Sequence, residues 1–90
     1  MIRSFKDKDA EELFKTRAAS KRLAPYAKAA LRKLDLIDVA DRIDELFVPP
    51  GNRLKKISDD TWQIRIDERY RVRFRWDGQN ALDVEVGDFH

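Results

Sequence analysis

Three arginines stand at alternate positions, Arg71, Arg73 and Arg75, within the stretch YRVRFRWDG, and a single histidine, His90, is the ninetieth residue. Guanidinium groups make bidentate hydrogen bonds to carboxylates and phosphates. Imidazole gives and takes protons near neutral pH. The arginine row could hold a phosphate chain, but its simpler reading is ordinary strand residues paired across strands with Asp83 and Glu85, which is a modest stabilisation. By itself, a histidine at a chain end reads as an ordinary frayed residue. Three like charges at i, i+2 and i+4 need some neutralising partner, and the spacing alone admits acidic neighbours or an RNA backbone.

The elements that would carry these groups follow from the hydrophobic period. In a strand, successive side chains face opposite sides. Tyr70, Val72, Phe74 and Trp76 then make an apolar wall, and the arginines line the other face. Trp62, Ile64 and Ile66 alternate with Gln63, Arg65 and Asp67, and Leu82, Val84 and Val86 alternate with Asp83 and Glu85. Asp67–Arg69 reads as a tight turn, and DGQN at 77–80 is a strong hairpin signal. Gly87 is expected to be a bulge that re-aims Asp88, Phe89 and His90. Ile2–Phe5 and Leu54–Ile57 are short enough to be minor strands.

Upstream of Val48 the period is helical. Acidic Asp9, Glu11 and Glu12 suit the first turn of a helix starting near Asp7 or Asp9, with Ala10, Leu13 and Phe14 as its apolar stripe. Pro25 suits the first position of a second helix running to about Leu36, with Leu23, Ala27, Ala30, Leu31 and Leu34 facing a core. Val39–Phe47 keeps a shorter helical pattern, which VPPGN at 48–52 stops. The expected fold class is α+β: two N-terminal helices packed on one face of a small antiparallel sheet, with residues 1–90 forming a single domain. The apolar wall is expected to pack on Leu13, Phe14, Leu31 and Leu34.

Composition narrows the function. Apolar residues are 42% and charged residues 40% of the chain, a balance typical of a folded domain with an ionised surface. No cysteine is present, which excludes disulfides and thiolate metal sites. One histidine excludes a multi-histidine metal centre. Three glycines without G-x-G spacing carry no nucleotide-loop signature. No cofactor and no metal are therefore expected. No apolar run reaches the roughly 20 residues of a membrane span, and no apolar leader opens the chain, so no membrane association is expected and the cytoplasm is the expected compartment. Net charge is only +2, yet eight basic residues (Arg53, Lys55, Lys56, Arg65, Arg69, Arg71, Arg73, Arg75) face four acidic ones (Asp59, Asp60, Asp67, Glu68) between positions 53 and 75.

Four strings in register carry a family resemblance. IRSFKDKDAEELF, VPPGNRLKKI, WQIRIDERYRVRFRW and DVEVGDFH resemble, in that order and over essentially all 90 residues, the opening, the PPGNRL segment, the hairpin and the closing motif of HigB-type toxins of the RelE superfamily. The resemblance implies a toxin of a type II toxin–antitoxin system, a ribosome-dependent endoribonuclease that cuts mRNA without a metal. Its partners would be a helix-turn-helix antitoxin of the HigA type, the ribosome and mRNA. Arg71 matches the hairpin arginine expected to stabilise the reacting phosphate. His90 matches the terminal histidine expected to act as general acid, and Asp88 the aspartate of D-Y-H. Lys55 falls where many members carry His or Glu, and Lys56 could add positive charge. Arg53, Arg65, Arg69, Arg73 and Arg75 would hold RNA. The chain departs from the pattern at Phe89, where tyrosine is usual, and at Ser58–Thr61, which is shorter than the family's loop and lacks its lysine and glycines. A second possibility is therefore a catalytically weak module of the RelE/ParE fold that chiefly binds its antitoxin or another target.

Overall fold

The computed structural model describes residues 1–89. The first helix, α1 (Lys8–Thr16), begins where the Asp7 carboxylate accepts from the amides of Asp9 and Ala10 at 3.0 and 3.3 Å. A side-chain acceptor there satisfies amides that have no partner within the helix. Arg17, with φ 65°, ends it. A 3₁₀ turn at Ala24–Tyr26 leads into α2 (Ala27–Val39). Pro25 thus opens the 3₁₀ turn and not the helix proper, because Tyr26 leaves helical backbone (φ −135°, ψ 21°). Beyond α2, Ala40 and Arg42 are extended, and Ile43–Phe47 is a 3₁₀ segment rather than a third α-helix.

A further 3₁₀ turn, Pro50–Asn52, is anchored by Asn52. Its fully buried amide donates to the Leu46 carbonyl at 3.1 Å and accepts from Lys33 of α2. Burial lowers the Lys33 ammonium from its ordinary range, with the neighbouring Arg32 charge adding to the effect.

Four strands follow in one antiparallel sheet, in chain order: β1 (Lys55–Lys56), β2 (Thr61–Arg65), β3 (Arg71–Trp76) and β4 (Ala81–Gly87). The α+β expectation holds, with the helices packed on one face. Ile64, Val72, Phe74, Trp76, Val84 and Val86 are buried against Ala10 and Leu13 of α1 and Ala30, Leu34 and Ile37 of α2. Phe14, Leu31, Trp62 and Tyr70 pack against this core but stay half-buried. Tyr70 stacks on Tyr26, with ring centroids 3.8 Å apart and planes 11° from parallel.

The bulge lies elsewhere than expected. Gly87 pairs with Arg71 inside β4, while the register slips between Arg73↔Glu85 and Arg75↔Leu82. The extra residue on β4 is accommodated by Asp83 at φ 51°, a left-handed conformation that aspartate tolerates better than most residues. Ala81, Val84 and Val86 therefore reach the core, and Leu82 does not. The N-terminal segment runs parallel along the outer edge of β4, bridging Ile2 to Ala81 and Phe5 to Val84. There the Ser4 hydroxyl accepts from the Asp83 amide at 2.8 Å.

Candidate functional site

Residues opposite each other in a sheet share a face. On the face away from the helices, one row reads Lys55–Gln63–Arg73–Glu85 and the next Arg65–Arg71–Gly87. Lys56 pairs with Trp62 and lies on the other parity, its ammonium 5.7 Å from the Trp62 ring centre. Lys55 is thus the lysine that shares the arginine face. Arg53, in a left-handed conformation at the end of the 3₁₀ turn, is exposed just before β1.

The three alternate arginines meet three different environments. Arg75 is paired: its Nε donates to Asp83 at 2.8 Å and its Nη1 to Asp60 at 3.4 Å. Those two carboxylates hold the Arg75 guanidinium above its ordinary range. Arg73 donates to the Gln63 side chain at 3.1 Å, while its Nε is buried with no acceptor among the described residues. Glu85 stands opposite Arg73 in register, but turns to Lys6 at 3.7 Å. Among the described residues, Arg71 donates to main-chain carbonyls, those of Asp67 and Tyr70 at 2.5 and 3.0 Å. Its cross-strand neighbour Arg65 does likewise, to Asp67 at 3.0 Å. Among the described residues, no carboxylate lies within ion-pair distance of Arg65, Arg71 or Lys55.

The end of the chain turns back over this face. A Cβ on Gly87 would stand 2.9 Å from the Phe89 ring, so only glycine lets the ring lie there. The same ring covers the Arg73 guanidinium at 4.4 Å, a cation–π geometry. Asp88 accepts from the Arg69 Nε at 2.8 Å, which raises the basicity of that guanidinium. Gly87, Asp88 and Phe89 thus border Arg71, Arg69 and Arg73. His90, the expected acid, lies outside the described residues.

A clamp built on the half-buried Asp7 holds the strand that ends in this tail. Arg22 donates to Asp7 at 2.6 Å, to Asp9 at 2.8 Å and to the Val86 carbonyl at 2.8 Å, while Asp7 also accepts from the Val86 amide at 3.0 Å. Burial raises the Asp7 carboxyl, but the Val86 amide, Arg22 and the Ala10 amide outweigh it and hold it below the usual carboxylate range. Sequence reading missed this clamp. Arg22 sits in the connector, and nothing local links it to a strand 64 residues away.

Beside Arg73, away from Arg71, lies an open cleft of about 220 Å³ lined by Lys6, Thr61, Arg73, Phe74, Arg75, Asp83 and Glu85. The described residues contain no cluster of three or more His, Cys, Asp or Glu arranged to hold a metal, and no helix long and apolar enough to cross a membrane.

The geometry places Arg65, Arg71 and Lys55, which have no ion-pair partner among the described residues, on one sheet face beside a folded-back tail. The family model described as RelE-like toxin of type II toxin–antitoxin system HigB matches residues 3–90. The chain belongs to this toxin family. Toxin HigB-1 of Vibrio cholerae serotype O1 is 34% identical to it over 89 residues, covering 93% of each chain. This HigB-like protein is therefore a toxin of a type II toxin–antitoxin system, and such a toxin has an antitoxin partner. Toxins of this family are generally endoribonucleases.

Proposed function

We propose that this toxin cleaves mRNA on the ribosome through attack of an RNA 2′-OH on the adjacent phosphate. The P–O5′ bond breaks, leaving a 2′,3′-cyclic phosphate and a 5′-OH. One proton leaves the 2′-OH to a base, and one reaches the departing O5′ from an acid. Arg71 is the phosphate-stabilising group, His90 the general acid, and Lys55 and Asp88 are the candidates for the base. Lys56, on the opposite parity of β1, contributes charge at the edge. Arg53, Arg65, Arg69, Arg73 and Arg75 hold the RNA strand in the cytoplasm's ribosomal complex, and a HigA-type helix-turn-helix antitoxin restrains the enzyme.

The observation that carries this reading is the pair Arg65–Arg71. Two guanidinium groups face each other across β2 and β3 with no carboxylate at ion-pair distance among the described residues. Like charges opposed in a sheet are destabilising, and a bound phosphodiester, whose charge grows as the phosphorane forms, is the ligand that would relieve them. The test is induction of the toxin without antitoxin, with cleavage ends mapped on ribosomes. Cyclic-phosphate 3′ ends that vanish in Arg71→Ala support the reading.

One observation favours the alternative of a catalytically weak, antitoxin-binding module. Phe89 has no hydroxyl, and its ring occupies the face of Arg73. A wild-type chain that binds antitoxin yet leaves transcripts intact would establish that reading instead.

A further inference from the structure

The cleft beside Arg73 has a lining unlike the Arg71 end. Three cations (Lys6, Arg73, Arg75) share it with two carboxylates (Asp83, Glu85) and the Thr61 hydroxyl. A phosphate entering it would meet both carboxylates. At the Arg71–Arg65 end no carboxylate among the described residues pairs with either guanidinium, so the two regions suit different parts of one RNA strand. At about 220 Å³, the cleft has room for about seven waters at roughly 30 Å³ each, which is the scale of one nucleobase.

The charged groups already stand in opposite-charge pairs. Lys6 Nζ and a Glu85 carboxylate oxygen are 3.7 Å apart, and Arg75 Nε lies 2.8 Å from Asp83. A carboxylate accepts two hydrogen bonds side by side, and an adjacent ammonium donates one. Guanine is the base whose Watson–Crick edge complements that set: N1–H and N2–H₂ donate together, and O6 accepts beside them. Adenine and cytosine offer a carboxylate one amino group, and uracil one imino group. Single-stranded bases are commonly read on this edge while stacked on an aromatic ring or a guanidinium plane. Arg73 supplies such a plane as one wall of the cleft, backed by the Phe89 ring at 4.4 Å.

We propose that the Lys6–Glu85 cleft is a guanine-reading subsite, with Glu85 accepting from N1–H and N2–H₂ and Lys6 donating to O6. It rests on the RNA-cleavage reading for its ligand being a nucleotide, and it goes further by naming the base. The slipped register at Asp83, held by the Ser4 hydroxyl, builds the cleft at a place where a regular hairpin would have a continuous ladder.

The test is titration of the isolated full chain with GMP, AMP, CMP, UMP and ribose 5-phosphate, read at the backbone amides of Lys6, Thr61 and Glu85 by NMR. GMP is expected to shift these amides at concentrations about tenfold lower than the other nucleotides, and Glu85→Gln is expected to abolish that preference while leaving the remaining spectrum unchanged. Equal shifts with ribose 5-phosphate, a GMP response unaltered in Glu85→Gln, or no response at these amides would each overturn the proposal. Binding needs no turnover. A chain that selects GMP but cuts no transcript contradicts the cleavage reading alone. A chain that cuts transcripts without a GMP response contradicts the subsite alone.

Discussion

Arg71 and Arg75 share a strand and a face, four residues apart, yet they belong to different chemistry. Arg75 is held by Asp83 and Asp60, whereas among the described residues Arg71 hydrogen-bonds to main-chain oxygens and stands opposite Arg65. The cause is register. The bulge swings Asp83 onto Arg75, Glu85 leans to Lys6, and the residue opposite Arg71 is Gly87, which has no side chain to offer. Among the described residues, one end of the row meets carboxylates and the other meets main-chain carbonyls. A repeated residue in a strand is therefore not a repeated function.

The largest effect is expected at the Arg71 end. On the proposed mechanism, His90→Ala removes the general acid and lowers transcript cleavage about 10²–10⁴-fold, with antitoxin binding and folding intact in a pull-down. Full cleavage by that variant would move the acid elsewhere. Phe74 underlies both ends of the row and is 1% exposed, so Phe74→Ala is expected to cost about 3–5 kcal/mol in denaturant unfolding. It would damage both regions alike, and so gives the structural baseline for the other variants.

The Asp7 clamp sharpens the comparison by pH. Its folded carboxyl lies below the unfolded value of about 3.9. The stabilisation is therefore present above that value and is lost as pH falls through the folded one. Asp7→Ala is expected to cost about 1–2 kcal/mol at pH 7, from the lost cap and hydrogen bonds. The gap to wild type should narrow below about pH 4, and a gap that holds constant into acid would contradict the role given to its charge. The smallest effect concerns the two lysines of β1. Lys55→Ala should reduce the salt slope of RNA binding by about 1, and Lys56→Ala, on the opposite parity, by less.

The difference between the two ends was only partly legible beforehand. The wall of Val72, Phe74 and Trp76 and its helical cover could be read directly, because apolar period and burial coincide. The α1 start at Asp7 was readable from local acidic residues. Leu82 misled because the bulge is made by Asp83, not by a glycine, and so shifts the parity of β4 without a compositional signal. Arg75 and Arg71 could not be told apart for the same reason, since their partners depend on alignment across strands. Lys55 was separable from Lys56 only once their partners Gln63 and Trp62 were known. Gly87 was expected to be a bulge, but it pairs regularly with Arg71, and what it permits is the Phe89 ring lying where a Cβ would stand.

The most direct test of the central claim is transcript cleavage by Arg71→Ala, compared with wild type on ribosomes at matched levels of folded protein. Loss of one preorganised donor to a developing oxyanion predicts a drop of about 10²–10³-fold, with unfolding unchanged to within about 0.5 kcal/mol. Cleavage by Arg71→Ala at the wild-type rate would contradict the assignment of the unpaired end as the catalytic one.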